Sequence, residues 1–191
     1  MRGARVLTST VLAGAVIGGS VATAGPPAAA AARASALTPA AGAPSRTQLA
    51  RAVRGALRSG SLWATVHICN SRARPGVFGV RGQMPALGFP ATLSMVVRIG
   101  YWSTAKHRFV PDDTANAVKA LTVGQASSGL HQDGAEFQFT APTGLLNATV
   151  QFTWSRNGRV IGQTTRHTTA GHHDAYRASP PGYSAAHCRI T

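Results

Sequence analysis

The sequence predicts an all-β protein, an antiparallel β-sandwich of about eight or nine strands, preceded by an export signal and a short helical segment. Three observations carry that prediction. Beyond Ser61 apolar residues recur at every second position in run after run, the period of strands with one buried and one wet face. Asn157-Gly158 sits between two such runs and is a strong hairpin signal, because a type I′ turn needs positive φ at both of its central positions. No stretch between the runs has helical period, so they are left to pair with one another in two layers.

The elements follow in chain order. Arg2 and Arg5 charge a short leading segment, and Val6 to Ala24 then runs without charge, apolar or small throughout. Ala22-Thr23-Ala24 and Ala32-Arg33-Ala34 both fit the small-x-small cleavage rule, so residues 1–34 read as a signal peptide cut after Ala24 or Ala34. An uncleaved anchor is the alternative, since the apolar run is just long enough to span a bilayer, but its Gly, Ser and Thr make a weak span. No cysteine near the cleavage sites offers a lipid anchor, and the C-terminus carries no hydrophobic tail. The expected product is secreted and soluble, outside the cell or at its envelope.

Residues 35–60 form an Ala/Pro-rich linker and a short basic helix. Ser45 and Gln48 have capping-box spacing, and Gly60 offers a stop. Leu49, Val53 and Leu57 share one helical face with Ala52 and Ala56, while Arg51, Arg54 and Arg58 share the other. Such a helix is marginal alone, which predicts that it docks on the domain or on a surface.

Residues 61–191 form the β domain. Leu62, Ala64, Val66 and Ile68 alternate with Trp63, Thr65, His67 and Cys69. Leu93, Met95, Val97, Ile99 and Tyr101 form the longest apolar face, and Phe137 with Phe139 and Ala148 through Trp154 alternate in the same way. A two-residue loop at Asn157-Gly158 places Trp154 opposite Ile161. A second hairpin joins Tyr101-Trp102 to Phe109-Val110, and further strands are expected at 77–82, 118–123 and 185–190. The strand-embedded aromatics read as core.

Cys69 and Cys188 lie far apart with no CxxC and no zinc-ligand spacing. In an exported chain such a pair reads as a disulfide, here fastening an early strand to the last one. Closing so long a loop is worth about 4–5 kcal/mol on the chain-entropy account.

The segment from Val150 to Ile161, with Trp154 before Asn157-Gly158, resembles the third-strand hairpin of immunoglobulin-like domains. The architecture implied is immunoglobulin-like but the topology is not the antibody one: Trp154 follows Cys69 by 85 residues, and Tyr183 stands five before Cys188 rather than two. Leu62 to Val66 through Cys69, Gly76 to Pro85, Thr168 to Gly171 and Gly182 to Cys188 together resemble a group of uncharacterised exported actinobacterial proteins. That resemblance implies a secreted location and brings no activity.

Chemistry-bearing motifs are sparse. His167, His172, His173, Asp174 and His187 are the nearest approach to a metal constellation, but adjacent histidines on an extended chain point apart, and the plain reading is a solvated loop. Of five carboxylates, Asp112-Asp113 and Asp133-Gly134 sit in turn contexts, and Asp112 with Glu136 makes a glycosidase pair only if both reach one cleft. There is no GxSxG and no phosphate-loop pattern. No catalytic, cofactor or metal residue is assigned. A hydrolase built from Asp112, Glu136 and His172 stands as one alternative, and an envelope protein whose loop histidines take up metal as another.

Charge is the remaining signal. The whole chain carries 19 Lys and Arg against 5 Asp and Glu. Without residues 1–34 the balance is still +11, four of those charges lying on Ser45 to Gly60 with no acid among them. A basic exported protein is drawn to anionic surfaces. The expected role is therefore non-enzymatic: a structural or binding module whose partner is an anionic cell-wall polymer or a membrane surface, met by Arg51, Arg54 and Arg58. Solubility together with Arg-rich codon usage is the alternative reading of the same excess.

Overall fold

A computed structural model describes residues 43–191; the expected signal peptide and the linker as far as residue 42 lie outside the described residues. The alternating runs become nine strands: β1 (Trp63–Ser71), β2 (Arg74–Pro85), β3 (Ala91–Ser103), β4 (Arg108–Pro111), β5 (Val118–Ala126), β6 (Leu130–Gln138), β7 (Gly144–Arg156), β8 (Arg159–His167) and β9 (Cys188–Ile190). They form two antiparallel sheets. The smaller has the order β1-β2-β6. The larger is built on β3 and β7, with β4 and β5 sharing the far edge of β3 and β8 and β9 sharing the far edge of β7.

The inner faces make one core. Val66, Phe78, Val80, Met84 and Phe137 of the small sheet meet Leu93, Met95, Val97, Val150, Phe152 and Trp154 of the large one. Burial of that much apolar side chain is the main favourable contribution to a sandwich. Trp154 is wholly buried, and its indole N–H donates to the Pro85 carbonyl at 2.9 Å, so the one polar atom of the ring is satisfied. A bond between Cys69 of β1 and Cys188 of β9 ties the small sheet to the large one across 119 residues.

Helix α1 (Arg46–Arg58) has the predicted capping box, with Ser45 Oγ accepting from the Gln48 N–H and Gln48 reaching back to the Ser45 N–H. It ends at Ser59, one residue before the expected glycine. Val53 and Ala56 enter the core. At its C-terminus the helix is fastened by Arg166 of β8, which donates to the Leu57 carbonyl at 2.7 Å, placing a cation where the helix end is negative.

Five expectations need correction. The Asn157-Gly158 loop has the predicted positive φ values, 50° and 73°, and pairs Arg156 with Arg159. One step further a bulge intervenes, so Trp154 lies opposite Gly162 rather than Ile161. Only glycine fits there, since a Cβ on residue 162 would stand 2.7 Å from Val53 Cγ1. The bulge thus makes the seat for α1.

Second, β1 has no wet face. Thr65 and His67 have no exposed surface and Trp63 is buried, because residues 168–187 fold back as irregular chain beside and over this strand. Thr168 and Ser179 bridge Ala64 and Ile68, and Ala185 exchanges backbone hydrogen bonds with Val66. His172 stacks on Trp63 at 4.5 Å, and Thr65 Oγ1 lies 2.7 Å from Ser184 Oγ. Third, the last strand is therefore only Cys188–Ile190, Ala185 contributing a single bridge ahead of it. Fourth, Tyr101 and Trp102 are not core: they stand 44% and 40% exposed, Tyr101 towards the end of β3 and Trp102 on the face that Arg98 and Gly100 share. Fifth, Asp133-Gly134 is not a turn but the middle of β6, with Asp133 opposite Gly82 and Gly134 opposite Arg81.

Candidate polyanion-binding face

The arginines singled out on α1 are where the helical period puts them. Because Val53 and Ala56 face the core, Arg51, Arg54 and Arg58 are all exposed, and Arg46 joins them. Spacings of three and four residues bring like charges together along the helix, which costs a few tenths of a kcal/mol per pair. A second basic group comes from the β7–β8 hairpin. Arg156 and Arg159 are direct cross-strand partners at its tip, an arrangement that opposes two like charges. The Arg156 guanidinium lies 5.4 Å from the Phe89 ring centre. Between helix and hairpin runs a groove of about 390 Å³, floored by Leu49 and Ile161 and rimmed by Arg156 and Arg159.

No acid answers these charges from the same elements. Asp112 and Asp113 lie between β4 and β5, Asp133 and Glu136 on β6, and Asp174 in the 168–187 segment. Helix α1, β7 and β8 contain none. Sequence reading found the helix and missed the hairpin, whose signal was an arginine on each side of Asn157-Gly158.

The remaining predicted residues are dispersed. His172 is held by Trp63 and by a 3.0 Å contact with Thr169 Oγ1, and burial keeps its pKa below the ordinary value. His173 Nδ1 lies 2.7 Å from the Gly182 carbonyl, while His187 stacks on Phe109. Among the described residues no three His, Cys, Asp or Glu side chains converge as a metal site would require. Asp112 and Glu136 do line one open groove of about 620 Å³ between the edge of β6 and the turn before β5, together with Lys119. His172 is not part of it. Each carboxylate there has a structural partner: Glu136 an ion pair with Arg74, Asp112 the Thr114 N–H at 3.0 Å.

A polar pair that alternation misread lies beneath the 168–187 segment. The His67 ring nitrogen Nε2 is 3.2 Å from Arg81 Nη2, and Arg81 Nη1 is 4.0 Å from Asp133. His67 Nδ1 and Arg81 Nε are buried with no hydrogen-bond partner. Burial first, and then the Arg81 charge, lower the His67 pKa from 6.5 to about 4, so at neutral pH the imidazole is neutral. Burial likewise lowers Arg81.

Fold and surface together define a disulfide-tied antiparallel β-sandwich with a basic helix docked on it. No protein-family model, curated protein or solved structure matches the chain. Among the described residues no helix is long and apolar enough to cross a membrane.

Proposed function

We propose that this chain is an exported, non-enzymatic binding module that attaches to anionic polymer at the cell envelope through the face made by α1 and the β7–β8 hairpin. The observation that carries the reading is segregation: six exposed or tip arginines (Arg46, Arg51, Arg54, Arg58, Arg156 and Arg159) stand on elements without a single acid. Like charges placed side by side cost stability, and an anionic partner turns that cost into affinity. Export rests on the leader pattern of residues 1–34 and accords with a disulfide, which persists in oxidising compartments. The likeness to exported actinobacterial proteins belongs to the same proposal.

Retention on immobilised heparin and on isolated cell wall, eluted by salt, tests it. The intact protein is expected to need well above physiological salt, and Arg51/Arg54/Arg58→Gln and Arg156/Arg159→Gln each to elute earlier, with Lys106/Arg108→Gln, on the other hairpin, unchanged. Elution of the intact protein at very low salt, or no response to either arginine set, overturns the reading.

A further inference from the structure

The large sheet turns one face to the core and the other to solvent, and on the solvent face the register assembles a recess. Arg98 lies opposite Thr149, which lies opposite His167; Gly100 lies opposite Asn147, and Trp102 opposite Phe109. Arg98, Gly100, Phe109, Asn147, Thr149 and His167 line a hollow of about 220 Å³. Its depth depends on Gly100, because a Cβ there would stand 2.5 Å from Asn147 Oδ1. Phe109 stands on its wall, supported from outside the hollow by Trp102, which meets it edge-on at 5.3 Å, and by His187, which stacks on it at 4.7 Å with an interplanar angle of 24°. No acidic side chain lines the hollow, and the fixed charge on it is Arg98.

We propose that this recess binds one ring of an acidic saccharide. A sugar ring combines an apolar C–H face with a rim of hydroxyls, and the site offers the complement of both. Phe109 takes the C–H face, held in place by Trp102 edge-on beside it; Asn147, Thr149 and His167 take hydroxyls; Arg98 takes the carboxylate. An extended peptide seeks an open strand edge, but the middle of the hollow lies on β3 and β7, which are paired along both edges, while the edge strands β4 and β8 contribute its flanks. A volume of about 220 Å³ suits a single ring. It shares no residue with the basic face and does not depend on that reading.

Trp63 and Trp154 are buried while Trp102 is exposed, so tryptophan fluorescence reports on this site. Trigalacturonate and N-acetylmuramic acid are the acidic probes, N-acetylchitotriose the neutral one, tripolyphosphate an anion with no sugar ring, and AMP a sugar phosphate with no carboxylate. A saturable change is expected with at least one acidic sugar, about tenfold weaker binding of the neutral sugar and none of tripolyphosphate or AMP. By calorimetry, Arg98→Gln should lower acidic-sugar affinity about tenfold, towards that of the neutral sugar, and Trp102→Ala should lower it similarly. Both positions are exposed, and unchanged thermal melts establish that each variant is folded. Arg51/Arg54/Arg58→Gln should leave the sugar response intact, so the two surfaces succeed or fail separately. Silence with both acidic sugars up to about 10 mM, equal binding of AMP or tripolyphosphate, or unaltered sugar binding by Arg98→Gln and Trp102→Ala overturns the proposal.

Discussion

His67 occupies a position that strand alternation assigns to water, yet its side chain has none. Its burial depends on two features remote in sequence. Gly79 leaves space for the imidazole, since a Cβ there would lie 2.8 Å from His67 Cε1, and Thr168, Ser179 and Ala185 close the open edge of the strand. With the folded pKa at about 4 against 6.5, the unfolded chain takes up a proton over a range where the folded one does not. Stability is therefore full above pH 6.5 and falls as the pH drops from 6.5 towards 4, by roughly 3 kcal/mol in all. Urea denaturation at pH 7.5 and 4.5 should show that loss, and His67→Gln should remove most of it. A stability equally steep in the variant assigns the acid sensitivity to other groups. Nothing local to Val66-His67-Ile68 announces this: the covering segment has no period to read, and its role exists only once the chain has returned to β1.

At the scale of elements, α1 was legible from both ends. Ser45 with Gln48 forms the cap, and the Val53/Ala56 stripe goes inward as spaced. Its docking site was not legible. A two-residue turn sets register by counting outward from Asn157-Gly158, and the count fails at the bulge before Trp154. Gly162, opposite Trp154 just past the bulge, is where Val53 meets a bare backbone. Gly162→Ala should accordingly cost about 1–3 kcal/mol through overpacking. The expected reading is a lowered melting temperature with loss of hydrogen-exchange protection concentrated in α1, the hairpin amides keeping theirs. Uniform loss across the sheet would mean that the helix is not separately seated. The same scale holds the misplaced aromatics: Tyr101 continues a perfect alternation yet is exposed towards the end of the thirteen-residue β3, while Trp102 falls on the opposite face.

For the molecule as a whole, sandwich class followed from period, since it depends on averages over many residues, and the joining of an early strand to the last followed from there being only two cysteines to pair. The two surfaces did not follow. The basic face needs α1 beside the β7–β8 tip, and the recess needs Arg98, Phe109, Asn147 and His167 from four strands. Such juxtapositions belong to topology. The disulfide is the molecule-wide constraint, and removing it with Cys69→Ala/Cys188→Ala should lower unfolding free energy by about 4–5 kcal/mol. Unfolding free energies of the intact protein with and without reductant, from denaturant titration, should differ by the same margin. A difference below about 1 kcal/mol would mean that the unfolded chain is held compact by other contacts.

The returning C-terminal segment also sets a timetable. β1 leads the domain, and one of its edges stays open until Ala185 and Cys188 are available to bridge and lock it. A chain that emerges amino end first carries that open edge until Cys188, 119 residues downstream of Cys69, has also emerged. Closure of the first strand thus waits on a segment made long after it, and the edge is exposed to other chains for that interval.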